Sequence, residues 1–350
     1  MQPSKYAKRT LKAILFLVLF FLFIEFFNAA FELNGKETEG MLARYSEQMD
    51  IDTVFVGNSV GKMLDAGEYS DQTGEHAFNM CTPSQSLPVS LKNIEMASSQ
   101  RKLKKAVLLM DLDTIDSGNY DWVDHMYDRV VNSAAPLSRQ IMNRLISCAE
   151  KSLDPDMINT ERSINIWIPW EDEVYQGFPQ MLHNLYRRYK RLVKRKKPGS
   201  KFAYDLTKSF YETAPGELSD EEEELLDRDI AAMEELPLPA GMMDKDKIRI
   251  LADICTYCRN NGIEFDVVVT PHRSDFFERT DDFREEILSA STFLNDFISK
   301  RGFRYFDPEK DGDPHRILPD HYFDDWEHIN KKYRHNATVY LTDVISKISS

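Results

Sequence analysis

Three residues of this sequence have the types and the spacing of a nucleophile, a base and an acid that orients the base. Ser59 follows a short apolar run, and Asp325 and His328 stand three residues apart near the C-terminus. A serine hydroxyl attacks a carbonyl carbon when a histidine takes its proton and a carboxylate holds the imidazole tautomer. Most of the chain separates Ser59 from the other two, so only the fold can bring them together.

Each of these residues also has a simpler interpretation when it is taken alone. A serine at the start of a helix is a common N-cap, and a single histidine is often a surface residue. If Ser59 follows a strand at a helix start, however, its backbone N–H points toward a developing oxyanion. The three residues together therefore indicate nucleophilic acyl chemistry.

The apolar pattern predicts the elements that must position these residues. Short β-rich runs alternate with helical patterns, which is typical of a parallel sheet in an α/β fold. The predicted strands cover residues 53–56, 76–79, 106–110, 265–270 and 303–306. The predicted helices cover residues 87–99, 245–260, 281–300 and about 332–348.

Polar residues follow the predicted strands at the ends where a parallel sheet binds its ligands. In an open parallel sheet, ligands lie outside the carboxyl ends of the strands. The residues at these ends are Ser59, then Ser84 and Gln85, then Asp111, then His272 and Arg273, and finally Asp325 and His328. We therefore predict one site at this edge of the sheet.

Three sequence blocks resemble the SGNH/GDSL hydrolase superfamily. They are Gly57-Asn58-Ser59, residues 78–86 (FNMCTPSQS) and residues 323–330 (FDDWEHIN). Within this superfamily the chain is similar to a membrane-anchored cell-envelope branch, which includes the D-alanylation protein of lipoteichoic acid synthesis and polysaccharide O-acetylation proteins. The resemblance covers residues 50–115 and 245–350.

The resemblance implies a flavodoxin-like three-layer α/β/α sandwich. It also implies that Ser59 is the nucleophile, His328 the base and Asp325 its partner. Ser84 stands where the family usually has a glycine that donates to the oxyanion. The backbone N–H survives this change, and the side chain of Gln85 is a candidate further donor.

The third block of the family, Gly-x-Asn-Asp, is absent. Residues 111–114 read Asp-Leu-Asp-Thr instead, so the usual asparagine donor to the oxyanion is missing. Losing one such donor typically costs about 10²–10³ in rate. A specialised transferase, or an enzyme completed by a partner, tolerates this loss better than a general esterase.

The N-terminus has the pattern of a membrane anchor. Lys5, Lys8, Arg9 and Lys12 precede an apolar run at residues 13–31, which has the length of a spanning helix. The basic flank at residues 1–12 predicts a cytoplasmic N-terminus and an exported domain at residues 32–350. A cleaved signal peptide is the alternative.

The strand and helix alternation breaks at about residues 118–241, which we interpret as a helical insertion or lid. This segment contains a tryptophan cluster at 167–170, a basic cluster at 186–197 and an acidic run at 220–224. The acidic run is interpreted as a solvated helix start. The basic cluster is either a solvated face or a contact for anionic headgroups or surface polymer.

The overall charge and the cysteines limit the classes of function. The formal net charge of −14 argues against nucleic acid as a partner. Cys255 and Cys258 fall on one helical stripe with Ile248 and Leu251, so we predict that both thiols pack in the core. Neither a metal nor a cofactor is predicted.

Two classes of function remain. The first is a single-pass membrane O-acyltransferase or esterase that modifies an extracytoplasmic glycopolymer, such as a teichoic-acid-like polymer, through an acyl-Ser59 intermediate. His272 and Arg273 would line the acceptor site, and a multi-spanning membrane acyltransferase is a candidate partner. The alternative is a non-catalytic envelope protein of the same fold that binds polymer or such a partner.

Overall fold

Five parallel strands form the sheet that carries the predicted site residues. The computed structural model of the protein describes residues 5–30, most of 41–50, 51–115, 182, 186, 218–276, 283–311 and 318–349. The strands are β1 (Thr53–Gly57), β2 (Ala77–Asn79), β3 (Lys105–Met110), β4 (Glu264–Val269) and β5 (Arg304–Phe306). Their order is β2-β1-β3-β4-β5, and every neighbouring pair is parallel. This is the flavodoxin-like order, and the predicted parallel α/β sheet is confirmed.

The described residues include eight α-helices whose bounds are defined. They are α1 (Lys5–Ala30), α2 (Ala66–Thr73), α3 (Leu87–Gln100), α4 (Asp220–Glu234), α5 (Lys245–Asn260), α6 (Arg284–Lys300), α7 (Pro308–Asp311) and α8 (Arg334–Ser349). The four helices predicted from the apolar pattern correspond to α3, α5, α6 and α8. The pattern did not predict α2, because Tyr69 is its one buried residue and leaves no apolar stripe to detect.

The connections between the strands place helices on both faces of the sheet. Along the sheet, β2 lies on one side of β1, and each later crossover leads toward the opposite edge of the sheet. Right-handed crossovers therefore put α2 on one face and α3, α5 and α6 on the other. On the first face α8 joins α2, since Tyr340 and Leu341 share a buried cluster with Phe55, Val107 and Val268. The result is a three-layer arrangement.

The acidic run at 220–224 contradicts its interpretation as a purely solvated helix start. Ser219 and Glu222 form a capping box at the start of α4. Glu222 also pairs with Arg259 of α5, and Glu223 with Arg249 at 3.1 Å. The run therefore caps its own helix and attaches it to α5.

The two cysteines of α5 pack in the core, as predicted. Cys255 and Cys258 are both fully buried. Burial raises the pKa of the Cys255 thiol to about 12, which keeps it protonated at neutral pH. Both side chains act as small apolar residues here.

Two compact units divide the chain. One consists of Met1–Lys36 with Arg129–Tyr204, and the other of Glu37–Asp128 with Asp205–Ser350. Over the part of the chain that the structure describes, no helix combines the length and the apolarity that a membrane crossing requires. Most of the predicted insertion, including the tryptophan cluster and nearly all of the basic cluster, lies outside the described residues. The anchor and the lid stay predictions.

Candidate active site

The structure brings together the hydroxyl, the imidazole and the carboxylate that the sequence singled out. Nε2 of His328 lies 2.8 Å from Oγ of Ser59. On the other side of the ring, Nδ1 lies 2.9 and 3.1 Å from the two carboxylate oxygens of Asp325. Because an ionised carboxylate only accepts hydrogen bonds, Nδ1 carries the proton and donates it to Asp325. Nε2 is then free to accept the proton of the serine hydroxyl.

A tight loop holds Asp325 in its orienting position. Its Oδ1 accepts hydrogen bonds from the backbone N–H groups of Glu327 at 2.9 Å and His328 at 2.7 Å. Burial alone would raise the pKa of the Asp325 carboxyl, but these donors and the imidazole outweigh burial and hold that pKa below its ordinary value. The carboxylate is therefore ionised at neutral pH. An antiparallel backbone bridge between Phe323 and Ile329 closes the loop at its base, and both residues are buried.

The end of β1 presents Ser59 at the start of a short 3-10 helix, Ser59–Met63. Gly57 has φ +141°, and an added Cβ would lie 1.9 Å from the carbonyl oxygen of Leu109 on β3. Only glycine permits this close approach of two strands. The side chain of Asn58 then caps the 3-10 helix by accepting the N–H of Val60 at 3.2 Å.

Asp111, the first residue of the segment that replaces Gly-x-Asn-Asp, holds Asn58. Both carboxylate oxygens of Asp111 accept hydrogen bonds from Nδ2 of Asn58 at 3.1 Å. Oδ1 also accepts a hydrogen bond from the hydroxyl of Thr114 at 2.9 Å. Asp111 is buried, with 4% of its surface exposed. It therefore orients the residue that precedes Ser59. No local sequence pattern indicates this contact, because the partners are far apart in the chain.

The second block lies beside the end of β1. The N–H of Thr82 donates to the carbonyl of Gly57 at 3.2 Å. Ser84 has φ +51°, a left-handed conformation that favours glycine. In the described part of the chain, no carbonyl accepts the backbone N–H of Ser59 or of Ser84. Both remain available as donors.

The side chain of Gln85 does not face Ser59. It is 2% exposed, its Oε1 accepts the hydroxyl of Thr82 at 2.9 Å, and its Nε2 donates to Ser90 at 3.0 Å. These bonds hold the loop to α3. The expectation that the Gln85 amide serves as an oxyanion donor is therefore corrected, because the folded loop uses that amide internally.

The expected acceptor role of His272 and Arg273 is also not what the structure shows. His272 is 4% exposed, and its ring stacks on Phe276 with centroids 4.1 Å apart. The guanidinium of Arg273 makes two bonds of 2.5 Å to Asp275, which raise its pKa above the ordinary value. The backbone N–H of Arg273 donates to the carbonyl of Trp326 at 2.8 Å, so this segment supports the His328 loop.

One group of side chains in the described residues has metal-ligand spacing. The ligand atoms of Asp325, Glu327 and His328 all lie within 4.8 Å of one another. The same atoms already form the hydrogen bonds that orient the imidazole. A cation there would compete with the Nδ1 proton for the carboxylates.

The imidazole of the site is partly exposed to solvent. Two cavities, of about 320 and 870 Å³, are lined by the β2–α2 region and by α4, α5 and the C-terminal end of α6 respectively. Neither is lined by Ser59 or His328. The side chain of His328 is 32% exposed.

Comparison with known proteins finds matches among solved structures but none by sequence. No protein-family model matches the sequence, and no curated protein matches it. Among solved structures, the chain is similar to a protein provisionally named a platelet activating factor from Streptococcus pneumoniae, with 10% identity, a TM-score of 0.40 and coverage of 95% of this chain and 98% of the other. It is also similar to a provisionally assigned acylhydrolase from Bacteroides fragilis, with 9% identity, a TM-score of 0.36 and coverage of 87% and 94%. At these scores neither similarity identifies a function.

Proposed function

We propose that this protein is an SGNH-type serine esterase or O-acyltransferase that works through an acyl-Ser59 intermediate. The observation that carries the proposal is the pair of hydrogen-bond contacts on the two ring nitrogens of His328. Nε2 contacts Oγ of Ser59, and Nδ1 contacts the carboxylate of Asp325. These are the nucleophile, base and orienting acid that acyl transfer needs, and each lies within hydrogen-bond reach of the next.

In the first step, Oγ of Ser59 attacks the carbonyl carbon of an ester while Nε2 of His328 takes the hydroxyl proton. The imidazolium that forms is stabilised by the ionised carboxylate of Asp325. The tetrahedral intermediate collapses, the C–O bond to the alcohol breaks, and Nε2 returns the proton to the leaving alcohol. Water or an acceptor hydroxyl then attacks the acyl-serine by the reverse sequence, which gives hydrolysis or transfer.

The backbone N–H groups of Ser59 and Ser84 are the proposed donors to the oxyanion. The first is at the start of a 3-10 helix and the second is in the loop that runs beside the end of β1. Two donors without the usual asparagine imply a rate about 10²–10³ below that of a site with three. We therefore expect slow turnover of a small soluble ester.

We further propose that α1 tethers the exported domain to the cell membrane, where it acts on an extracytoplasmic glycopolymer. The basic flank and apolar run of the N-terminus support this proposal, as do exposed apolar side chains on α1 such as Leu15, Phe16 and Leu19. A membrane-bound acyltransferase is the proposed source of the acyl group. Protease added to intact cells should cleave the domain, and full protection would contradict this topology.

A fluorophosphonate probe tests the proposed chemistry on the full chain in detergent. The wild type should acquire a covalent adduct at Ser59, detected by mass spectrometry, and Ser59→Ala should abolish it. Ser99→Ala, which changes an exposed serine on α3, is the matched control and should label normally. Equal labelling of wild type and Ser59→Ala, or no adduct in either, would favour the non-catalytic envelope protein instead.

A further inference from the structure

A second carboxylate, that of Glu327, faces the same ring nitrogen as Asp325. Oε1 of Glu327 lies 3.3 Å from Nδ1 of His328, compared with 2.9 Å for the nearer oxygen of Asp325. Neither the residue types nor the three-residue spacing of the site predicted this contact. Adjacent residues in a chain usually point apart, so the loop must bend to bring Glu327 and His328 together.

The bend comes from hydrogen bonds on both sides of Glu327. Oδ1 of Asp325 accepts the backbone N–H groups of Glu327 and of His328. The carbonyl of Trp326 accepts the N–H of Arg273 from the loop after β4 at 2.8 Å. The backbone on each side of Glu327 is therefore fixed, and its side chain is directed at the imidazole.

Burial along this loop is the reverse of what side-chain polarity predicts. Trp326 is 46% exposed, whereas the side chain of Glu327 is only 18% exposed. Tryptophan is usually mostly buried and glutamate usually exposed. A carboxylate that is turned inward while its aromatic neighbour faces solvent needs a favourable partner, and the imidazole of His328 is one such partner.

Two carboxylates and one hydroxyl surround the imidazole of His328. Asp325 and Glu327 approach Nδ1, and the hydroxyl of Ser59 lies at Nε2. The guanidinium of Arg273 acts on Asp325 from the neighbouring loop, although Asp275 neutralises much of its charge. A carboxylate interacts more strongly with the imidazolium than with the neutral ring. Its effect is therefore largest when His328 has taken the proton of Ser59.

We propose that Glu327 is a second positioning carboxylate for His328, which accepts a hydrogen bond from Nδ1–H and keeps the productive tautomer when Asp325 cannot. This inference rests on the proposed acyl-serine chemistry. The imidazole is thus held by two acids on one loop, and the site does not depend on Asp325 alone.

A double-mutant cycle tests the proposal, with p-nitrophenyl acetate hydrolysis by the full chain in detergent as the assay. In a triad with one orienting acid, Asp→Asn lowers kcat by about 10⁴ because the wrong tautomer forms. Here Asp325→Asn should lower kcat by only about 10²-fold, and Glu327→Gln by about 10-fold or less. The double variant should fall by about 10⁴-fold, more than the product of the two single effects.

The matched control is Asp324→Asn, which removes a carboxylate from the same loop. Asp324 accepts a hydrogen bond from Asn330 and is an exposed residue. Its kcat should stay near that of the wild type. An equal loss in Asp324→Asn and Glu327→Gln would mean that loop charge or stability matters, and the proposal would be wrong.

The pH profile of kcat/KM tests whether Glu327 acts electrostatically on His328. If Glu327 only stabilised the loop, its replacement would not shift this profile. Removing the charge of Glu327 destabilises the imidazolium, so the acid limb should shift to lower pH in Glu327→Gln. An unshifted limb together with a full 10⁴-fold loss in Asp325→Asn would overturn the proposal. So would activity that is lost on chelation and restored by Zn²⁺, because the trio would then be a metal site.

These outcomes are distinct from a failure of the proposed function. If Ser59→Ala retains the activity of the wild type, acyl-serine chemistry itself is refuted. If Ser59→Ala is inactive but Glu327→Gln matches the wild type in both rate and pH profile, only the role of Glu327 is refuted.

Discussion

Replacing Gly57 with alanine should destabilise the protein in two ways, through a clash between β1 and β3 and through strain in the backbone of residue 57. The added Cβ would lie 1.9 Å from the carbonyl oxygen of Leu109, where real Cβ contacts are at least 3.0 Å. The obstacle is backbone in the middle of the sheet, so it cannot rotate away. The two strands would have to separate by about 1.1 Å, which disrupts the hydrogen bonds between β1 and β3.

The size of the effect follows from two contributions. The left-handed φ of Gly57, +141°, costs a residue with a side chain about 1–2 kcal/mol. Overpacking a rigid site costs about 1–3 kcal/mol more. We therefore expect Gly57→Ala to lower the free energy of unfolding by at least about 3 kcal/mol, a large part of the 5–15 kcal/mol that stabilises a typical domain.

Gly74→Ala is the matched control for this experiment. Gly74 also has positive φ, +78°, but an added Cβ there would meet nothing within 4 Å. This variant should lose only about 1 kcal/mol, from backbone strain alone. Urea unfolding of both variants, followed by circular dichroism, gives the two free energies, and fluorophosphonate labelling reports on Ser59. Equal losses in the two variants would refute the argument that close strand approach sets this position.

Two further predictions concern strain and burial. Ser84→Gly should raise the free energy of unfolding by about 1 kcal/mol because glycine tolerates φ +51°. The fluorophosphonate probe should label this variant at the wild-type rate because the backbone N–H remains. Slower labelling would show that the side chain of Ser84 matters. Burial raises the pKa of Glu95 to about 7, with Asp253 adding to it and Lys92 opposing it. The native state therefore binds more protons than the unfolded state between about pH 4.5 and 7, so this group lowers stability as pH rises through that window. Glu95→Gln should gain about 2–3 kcal/mol at pH 8 and little at pH 4.5, measured by urea unfolding, and an equal gain at both values would contradict the cause.

The strands and the principal helices of the sheet domain could be predicted because their signals are local. The five strands were predicted to within one residue at each end, since parallel strands buried on both faces are continuous apolar runs. Helix α5 was predicted with its observed bounds because Asp244 caps it and its apolar stripe is regular. The short helix α2 has neither a stripe nor a long apolar run, so it was missed.

The site was only partly predictable for a related reason. The order of strands and the rule that ligands bind at their carboxyl ends place Ser59, Asp325 and His328 at one edge of the sheet. The same rule placed Gln85 and His272 there, but it cannot say which way a side chain turns. Gln85 turned toward α3 and His272 stacked on Phe276, because packing within each loop decided their orientation.

The amino-acid sequence alone determined the five strands, the principal helices and the three residues of the candidate triad, since apolar periodicity and residue type are local properties. Only the tertiary structure decided that Asp111 holds Asn58 and that Glu327 reaches the imidazole of His328. The first contact depends on how β1 and β3 are aligned, and the second on a bend fixed by a neighbouring loop. Such contacts depend on distances between separate segments, which no local pattern specifies.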